Sequence, residues 1–115
     1  MSIYSVKTIA VATTALGTNT ATSWCPMNIE ANPFCVSLGF KLTSGLDTGA
    51  VFRVQHTFDD VFDSNVTPVA FTHVDMSAMT ANMDGNYAFP VRGIRLLMTS
   101  GGSASSSLTI TQTGL

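Results

Sequence analysis

Asp59, Asp60 and Asp63 are the densest set of metal-capable oxygens in this 115-residue chain. They lack the alternating ligand pattern and closing glutamate of a calcium-binding EF-hand loop. The run therefore reads as a solvated acidic loop, and no metal is expected. His56 and His73 are too far apart in sequence to be read as a pair. His56 falls on the apolar face of its segment, where a hydrogen-bonded core histidine is the usual outcome. Cys25 and Cys35 have no histidine or basic residue beside them to activate a thiolate. They are expected as two separate thiols, with a disulfide open only if their strands are neighbours. The serines lack the Gly-x-Ser-x-Gly of a nucleophile elbow. Gly101-Gly102 has no helix start after it, so it does not cradle a phosphate. Glu30 is the only glutamate, and nothing fixes its distance to an aspartate for sugar hydrolysis. No enzyme and no cofactor are expected from these residues.

The elements that would carry any site are strands. Phe34, Val36, Leu38, Phe40 and Leu42 share one face of a segment whose other face is Cys35, Ser37, Gly39 and Lys41. A period of two held this long marks a strand with one buried face. Ala50 to Phe58 repeats the pattern, with Phe52, Val54 and Phe58 inward and Arg53, Gln55 and Thr57 outward. Between them lies Thr43 to Gly49, with two glycines. Strand, loop, strand reads as an antiparallel hairpin whose apolar face needs a second sheet over it.

The remaining segments are candidates for that cover. Tyr4 to Val11 alternates weakly and reads as an edge strand or an extended arm over residues 1–12. Gly17-Thr18-Asn19 reads as a turn. Thr20 to Cys25 reads as a short strand ended by Pro26, which cannot donate to a ladder. Asn32-Pro33 signals another turn. Val61 and Phe62 are expected to pin the acidic loop to the body. Phe71-Thr72-His73 reads as a brief strand, and Asp75 to Met83 as irregular. Asp84-Gly85-Asn86 reads as a tight turn. Val91 to Met98 and Ser107 to Gln112 read as a closing hairpin around a Ser100–Ser105 tip. The expected core draws on Phe34, Val36, Leu38, Phe40, Phe52, Val54, Ile94, Leu96, Leu108 and Ile110. The fold class that follows is all-β: one antiparallel β-sandwich domain over 1–115, jelly-roll-like, with little or no helix. The pattern lists strands without their order.

Composition limits the function classes. Charged residues are 10% of the chain, far below the usual quarter, while 45% are hydrophobic. With so little charge repulsion, the surface is suited to packing against other protein. A net charge of -2 with five dispersed Lys and Arg leaves no footprint for nucleic acid. The run Ile9 to Ala12 is too short and threonine-interrupted for an export signal, and no stretch is long enough to span a bilayer. Residues that could meet a protein partner are Tyr4, Val6, Trp24, Arg53, Arg92 and Arg95. Trp24 also reads as an ordinary sheet-face residue, and the arginines as solvated or paired within the chain.

Three stretches carry a resemblance: Val54-Gln55-His56-Thr57-Phe58-Asp59-Asp60, Thr67-Pro68, and the long run from Ala81-Asn82-Met83-Asp84-Gly85-Asn86-Tyr87 through Ala88-Phe89-Pro90-Val91-Arg92-Gly93-Ile94-Arg95-Leu96. This order, followed by a Ser/Thr/Gly-rich close, resembles small virion proteins of tailed bacteriophages over roughly the last two thirds of the chain. The resemblance implies a β-sandwich of the capsid decoration or cement type. It would be a homo-oligomer, dimer or trimer, that clamps the major capsid protein from outside, located in the host cytoplasm during assembly and on the capsid surface afterwards. Two alternatives stand beside it. One is a receptor- or carbohydrate-binding module on a tail or fibre, which would show exposed aromatic side chains on loops, with Tyr87 and Phe89 the local candidates. The other is a ring-forming adaptor or stopper at the head–tail joint. A far-ultraviolet circular dichroism spectrum of strand type is expected, and one dominated by helix would overturn the fold class.

Overall fold

The computed structural model describes residues 4–11, 20–31, 34–44, 51–100 and 105–113. The expected turns at Gly17-Thr18-Asn19 and Asn32-Pro33 lie outside the described residues, as does most of both glycine-bearing loops. The described residues form nine strands: β1 (Tyr4–Val11), β2 (Thr20–Ala21), β3 (Cys25–Pro26), β4 (Cys35–Ser44), β5 (Val51–Thr57), β6 (Phe71–Thr72), β7 (Met83–Tyr87), β8 (Gly93–Ser100) and β9 (Ser105–Thr113). There is no helix among the described residues, hence none long and apolar enough to cross a membrane.

Two antiparallel sheets share the strands. One has the order β1-β9-β4-β7. The other runs β2-β8-β5-β6, with β3 also paired to β8. The two sheets make a β-sandwich, and the chain passes from one sheet to the other at most of its connections. Two expectations are corrected here. β4 and β5 are not a hairpin, because β4 pairs with β7 and β9 while β5 pairs with β6 and β8. Nor are β8 and β9 a hairpin, since β9 lies between β1 and β4. In each case the two apolar faces bury more by facing one another across the core than by lying side by side in one sheet. Phe40 on β4 meets Phe52 on β5 with ring centroids 5.3 Å apart.

The core is the one the alternation marks out. Val36, Leu38, Phe40, Phe52, Val54, Ile94, Leu96, Leu108 and Ile110 are all buried, and Phe34 packs against them partly buried. The methionines add what periodicity does not show. Met76 and Met79 are buried although their segment has no regular structure. Val54 N–H donates to the Met76 carbonyl at 2.9 Å, and Phe52 exchanges two backbone hydrogen bonds with Met79. Residues 73–79 thus close the edge of β5 beyond β6, and their flexible thioethers fill the gap beneath it.

Asp84-Gly85-Asn86 is no turn; it is the middle of β7, in register with Gly39, Leu38 and Ser37 of β4. Gly85 makes room there for the Met76 side chain, which would have to shift to admit a larger residue. A Cβ at this position would lie 2.6 Å from the Met76 sulfur. The expected strand Thr20 to Cys25 is two short pairings split by Thr22-Ser23-Trp24. Thr22 bridges the gap: its N–H donates to the Leu96 carbonyl at 2.9 Å, and its hydroxyl accepts from Leu96 N–H at 3.1 Å. Pro26 is the last residue of β3, so the strand stops there as expected, with the proline itself paired to Gly93 at a sheet edge where a missing N–H is tolerated.

The outer face of the second sheet is covered too, since Thr57 and Leu97 point outward and are nevertheless buried. Val61 and Trp24 lie over Gly93, where a Cβ would come within 2.8 Å of a Val61 methyl. Val61 thus pins the acidic loop as expected. Phe62 does not, being 80% exposed. The substitution Gly93→Ala should cost about 1 to 3 kcal/mol by overpacking. Adding Val61→Ala should recover part of that cost in a urea-unfolding double-mutant cycle, whereas strictly additive costs would refute the contact.

Candidate functional site

At one end of the sandwich the inward face of β5 runs past the last paired residue. His56 is buried there, and Phe58, next on the same face, emerges half-exposed. Phe71 of β6 and Phe89, just after β7, both meet the Phe58 ring. The centroid separations are 5.5 Å (Phe58 to Phe71) and 6.3 Å (Phe58 to Phe89). Each of these phenylalanines also contacts the His56 imidazole, with centroids 5.4 to 5.9 Å away. Such tilted and edge-on aromatic contacts fix ring orientation as well as burying area.

A polar network lies under this aromatic end. His56 Nδ1 and the Tyr87 hydroxyl are 2.8 Å apart. The Tyr87 ring is met edge-on by both His56 and His73. His73 Nε2 lies 2.8 Å from the Asn86 carbonyl, which can only accept, and its Nδ1 accepts from Asp75 N–H at 3.1 Å. The proton is therefore on Nε2 and the tautomer is fixed. Burial, and secondarily the nearby His73, hold the His56 pKa below its ordinary value of 6.5. Burial also pushes the Tyr87 hydroxyl well above its usual range. Between 72–75 and 86–89 a pocket of about 330 Å³ opens beside this network. Val74, 83% exposed, stands on its lining with Phe89.

The acidic loop is held by its own carboxylates. Asp60 and Asp63 accept backbone N–H bonds from Phe62 and Asn65, each at 2.9 Å, and Asp59 accepts from Val69 at 2.8 Å. The first two are the local turns that aspartate favours, and the third ties the start of the loop to its end. A shallow cleft of about 200 Å³ separates this loop from 27–30, with Ile29, Phe62 and Arg92 on its walls.

The residues singled out for partner contact do not form one surface. Trp24 and Arg95 are brought together on the outer face of the second sheet. The guanidinium lies 4.4 Å from the indole centroid, and its Nε donates to Gln55 Oε1 at 2.8 Å. That stacking gives Trp24 a role within the chain. Arg53 is on β5 opposite Leu97, with its Nε buried and without a hydrogen-bond partner among the described residues. Arg92 is exposed and 3.9 Å from Asp60, a weak pair. Tyr4 and Val6 belong to the other sheet, in register with Thr113 and Thr111 at its edge. Cys25 is buried on β3 and Cys35 exposed on β4; both are thiols. Of the aromatic end, only Tyr87 and Phe89 were legible as candidates. Phe58 could have been found from its parity with His56 one step beyond the strand.

Tyr87→Phe would leave His56 Nδ1 without its partner and should cost about 1 to 3 kcal/mol. The pH dependence has a definite sign. With the folded pKa below the unfolded one, the unfolded chain takes up the proton first as pH falls. His56 therefore contributes fully above its ordinary value of 6.5, and its contribution declines below that. Urea midpoints should fall between about pH 7.5 and about pH 5.5, and fall less in His56→Gln. An equal fall in both proteins would dismiss His56 as the cause.

No family model matches the sequence, and no curated protein matches it. Solved structures do. The chain is similar to the crystal structure of the SPBc2 prophage-derived protein YomS, with 8% identity over 98% of this chain and 97% of that one, at a TM-score of 0.53. At that identity the likeness shows the fold alone. A structure of Bacillus endospore appendages, disulfide-linked pili, matches with 15% identity over 97% and 89% of the two chains, at a TM-score of 0.47. A family 16 carbohydrate-binding module matches with 14% identity over 87% and 70%, at 0.38. The last two scores are too low to bear on this chain.

Proposed function

We propose that the protein is a non-enzymatic structural component of a phage virion that decorates the head and stabilises its shell by binding the major capsid protein. One observation carries the reading: large apolar side chains stand exposed along 58–74 and at 89. Phe62 and Val74 are at least 80% exposed, Val69 is 59%, and Phe58, Phe71 and Phe89 are near half. Apolar surface held out of a well-filled core marks a surface that meets another macromolecule. The phage setting is supported by the resemblance of the Val54–Asp60 and Ala81–Leu96 runs, and by a sandwich fold that a prophage-derived protein also has. A cement subunit that binds only the closed shell raises the shell's stability by linkage, however small each contact is. Copies arranged by capsid symmetry, as a homo-oligomer, multiply the effect.

A tail- or fibre-borne carbohydrate- or receptor-binding module is the second reading. The half-exposed Phe58, Phe71 and Phe89 favour it, because aromatic faces at one end of a sandwich can stack on a ligand ring.

Particles assembled without the protein should form but release DNA at a lower temperature, and imaging should place the protein on the head. Phe62→Ser with Val74→Ser should change the unfolding free energy by no more than about 0.5 kcal/mol, since both side chains are exposed. The same pair should lower occupancy on particles. Unchanged particle stability with the protein on the tail would displace the first reading in favour of the second.

A further inference from the structure

On the outer face of the second sheet, β5 and β8 set two cations side by side. Arg53 is paired with Leu97 and Gln55 with Arg95, so the two arginines are diagonal neighbours on that face. The ion pair formed among the described residues is Arg92 with Asp60, which leaves both guanidiniums without a carboxylate there. The strand positions around them, Gln55, Thr57, Leu97 and Thr99, are uncharged. The acidic segment 59–63 follows the Thr57–Gly93 end of the pairing, and its carboxylates accept N–H bonds from Phe62, Asn65 and Val69. Like charges on neighbouring strand positions repel, yet neither arginine extends fully into water. Both side chains are half-buried, and Arg53 Nε is covered without a hydrogen-bond partner. Arg95 is held in place, with its guanidinium 4.4 Å from the Trp24 indole centroid and its Nε bonded to Gln55 Oε1. Burial works against the charge of Arg95, and no opposite charge among the described residues offsets it. With one face on the indole and Nε engaged, its two terminal amino groups remain. That edge is the one that receives a carboxylate in two parallel hydrogen bonds.

Resting on the reading that this protein binds another protein, we propose that Arg53 and Arg95 together dock an acidic side chain of that partner, its carboxylate lying between the two guanidiniums. The fit is one of charge complementarity: a single carboxylate relieves the repulsion between two cations that the described residues leave uncompensated. A guanidinium suits the task, because it is weakly hydrated and its planar fork matches a carboxylate. A nucleic-acid backbone would present a phosphate at every nucleotide and call for a stripe of cations. This face offers two, in a chain of net charge -2. The acidic loop of a second copy fits less well, since its carboxylates are already bonded to its own backbone.

The test is a chemical-shift titration of the full chain that follows the side-chain Nε–H signals of Arg53 and Arg95. The probes are end-blocked Gly-Glu-Gly-Glu-Gly, its glutamine counterpart, inorganic phosphate and a single-stranded oligothymidylate, all at one ionic strength. The glutamate peptide should move both signals, the glutamine peptide neither, and the response should weaken as salt is raised. Arg53→Gln and Arg95→Gln should each weaken binding about two- to fivefold, the range of an exposed ion pair. Arg53→Lys keeps the charge and loses the fork, so it should retain more binding than Arg53→Gln, and it guards against a variant that fails to fold. Equal response to both peptides, no response to the glutamate peptide, or binding unchanged in both glutamine variants would overturn the proposal. So would a response to phosphate alone, tighter binding of the oligothymidylate, or self-association that Arg95→Gln abolishes. If the titration fails while particles lacking the protein still lose stability, the docking contact is wrong and the structural role stands. If the titration succeeds while particles are unaffected, the docking contact stands and its partner is not the shell.

Discussion

The contact between Phe40 and Phe52 spans the two sheets, and most of the fold is arranged so that it can form. Each ring sits on a strand whose inward positions are apolar throughout, so neither sheet is stable in water without the other. Bringing the two faces together buries Val36, Leu38, Val54, Leu96 and Ile110 to near completion. Interiors of this kind are close-packed, and every connection must deliver its strand at a depth set by its neighbours. That is why β4 leads across the core to β5 instead of beside it. Register shifts occur at Leu42/Ser44 on β4 and at Val51/Phe52 on β5. Asn82 supports one of these shifts by accepting the Leu42 N–H through its side-chain oxygen at 2.8 Å.

The edges are closed by irregular chain. Residues 73–79 run along β5 with strand-like hydrogen bonds at intervals, and Met76 and Met79 point into the core. A regular strand would place its side chains at fixed two-residue spacing. A bulged segment with long thioethers can fill uneven space, including the space left by Gly85. Gln112 does similar work at another margin, holding Asn28 by two hydrogen bonds of 3.0 and 2.8 Å between its amide and the Asn28 backbone. The polar side chains in this low-charge protein thus act as substitutes for missing backbone pairs.

At the aromatic end the same economy of charge has a functional consequence. The two histidines and Tyr87 bond one another or the neighbouring backbone, and none of their side-chain nitrogens or oxygens is fully buried without a partner. The outward surface there is left largely apolar, with Phe58, Phe71, Val74 and Phe89 exposed. A surface of that kind is unfavourable in water and well matched to burial against protein.

The alternation of Phe34 to Leu42 and of Phe52 to His56 determined on its own which residues are inside, because side-chain period follows from strand geometry whatever the strand pairs with. For that reason the core and the all-β class were legible from sequence. Which strands pair was not, since an apolar face is satisfied equally by a neighbour or by an opposing sheet, and only the summed packing of all nine strands chooses. Asp84-Gly85-Asn86 has the composition of a turn, but pairing with β4 and the volume of Met76 place it in a strand. The aromatic end had the least sequence signal. Phe58, Phe71 and Phe89 come from three separate elements, and only the meeting of those elements at one end of the sandwich makes them a surface.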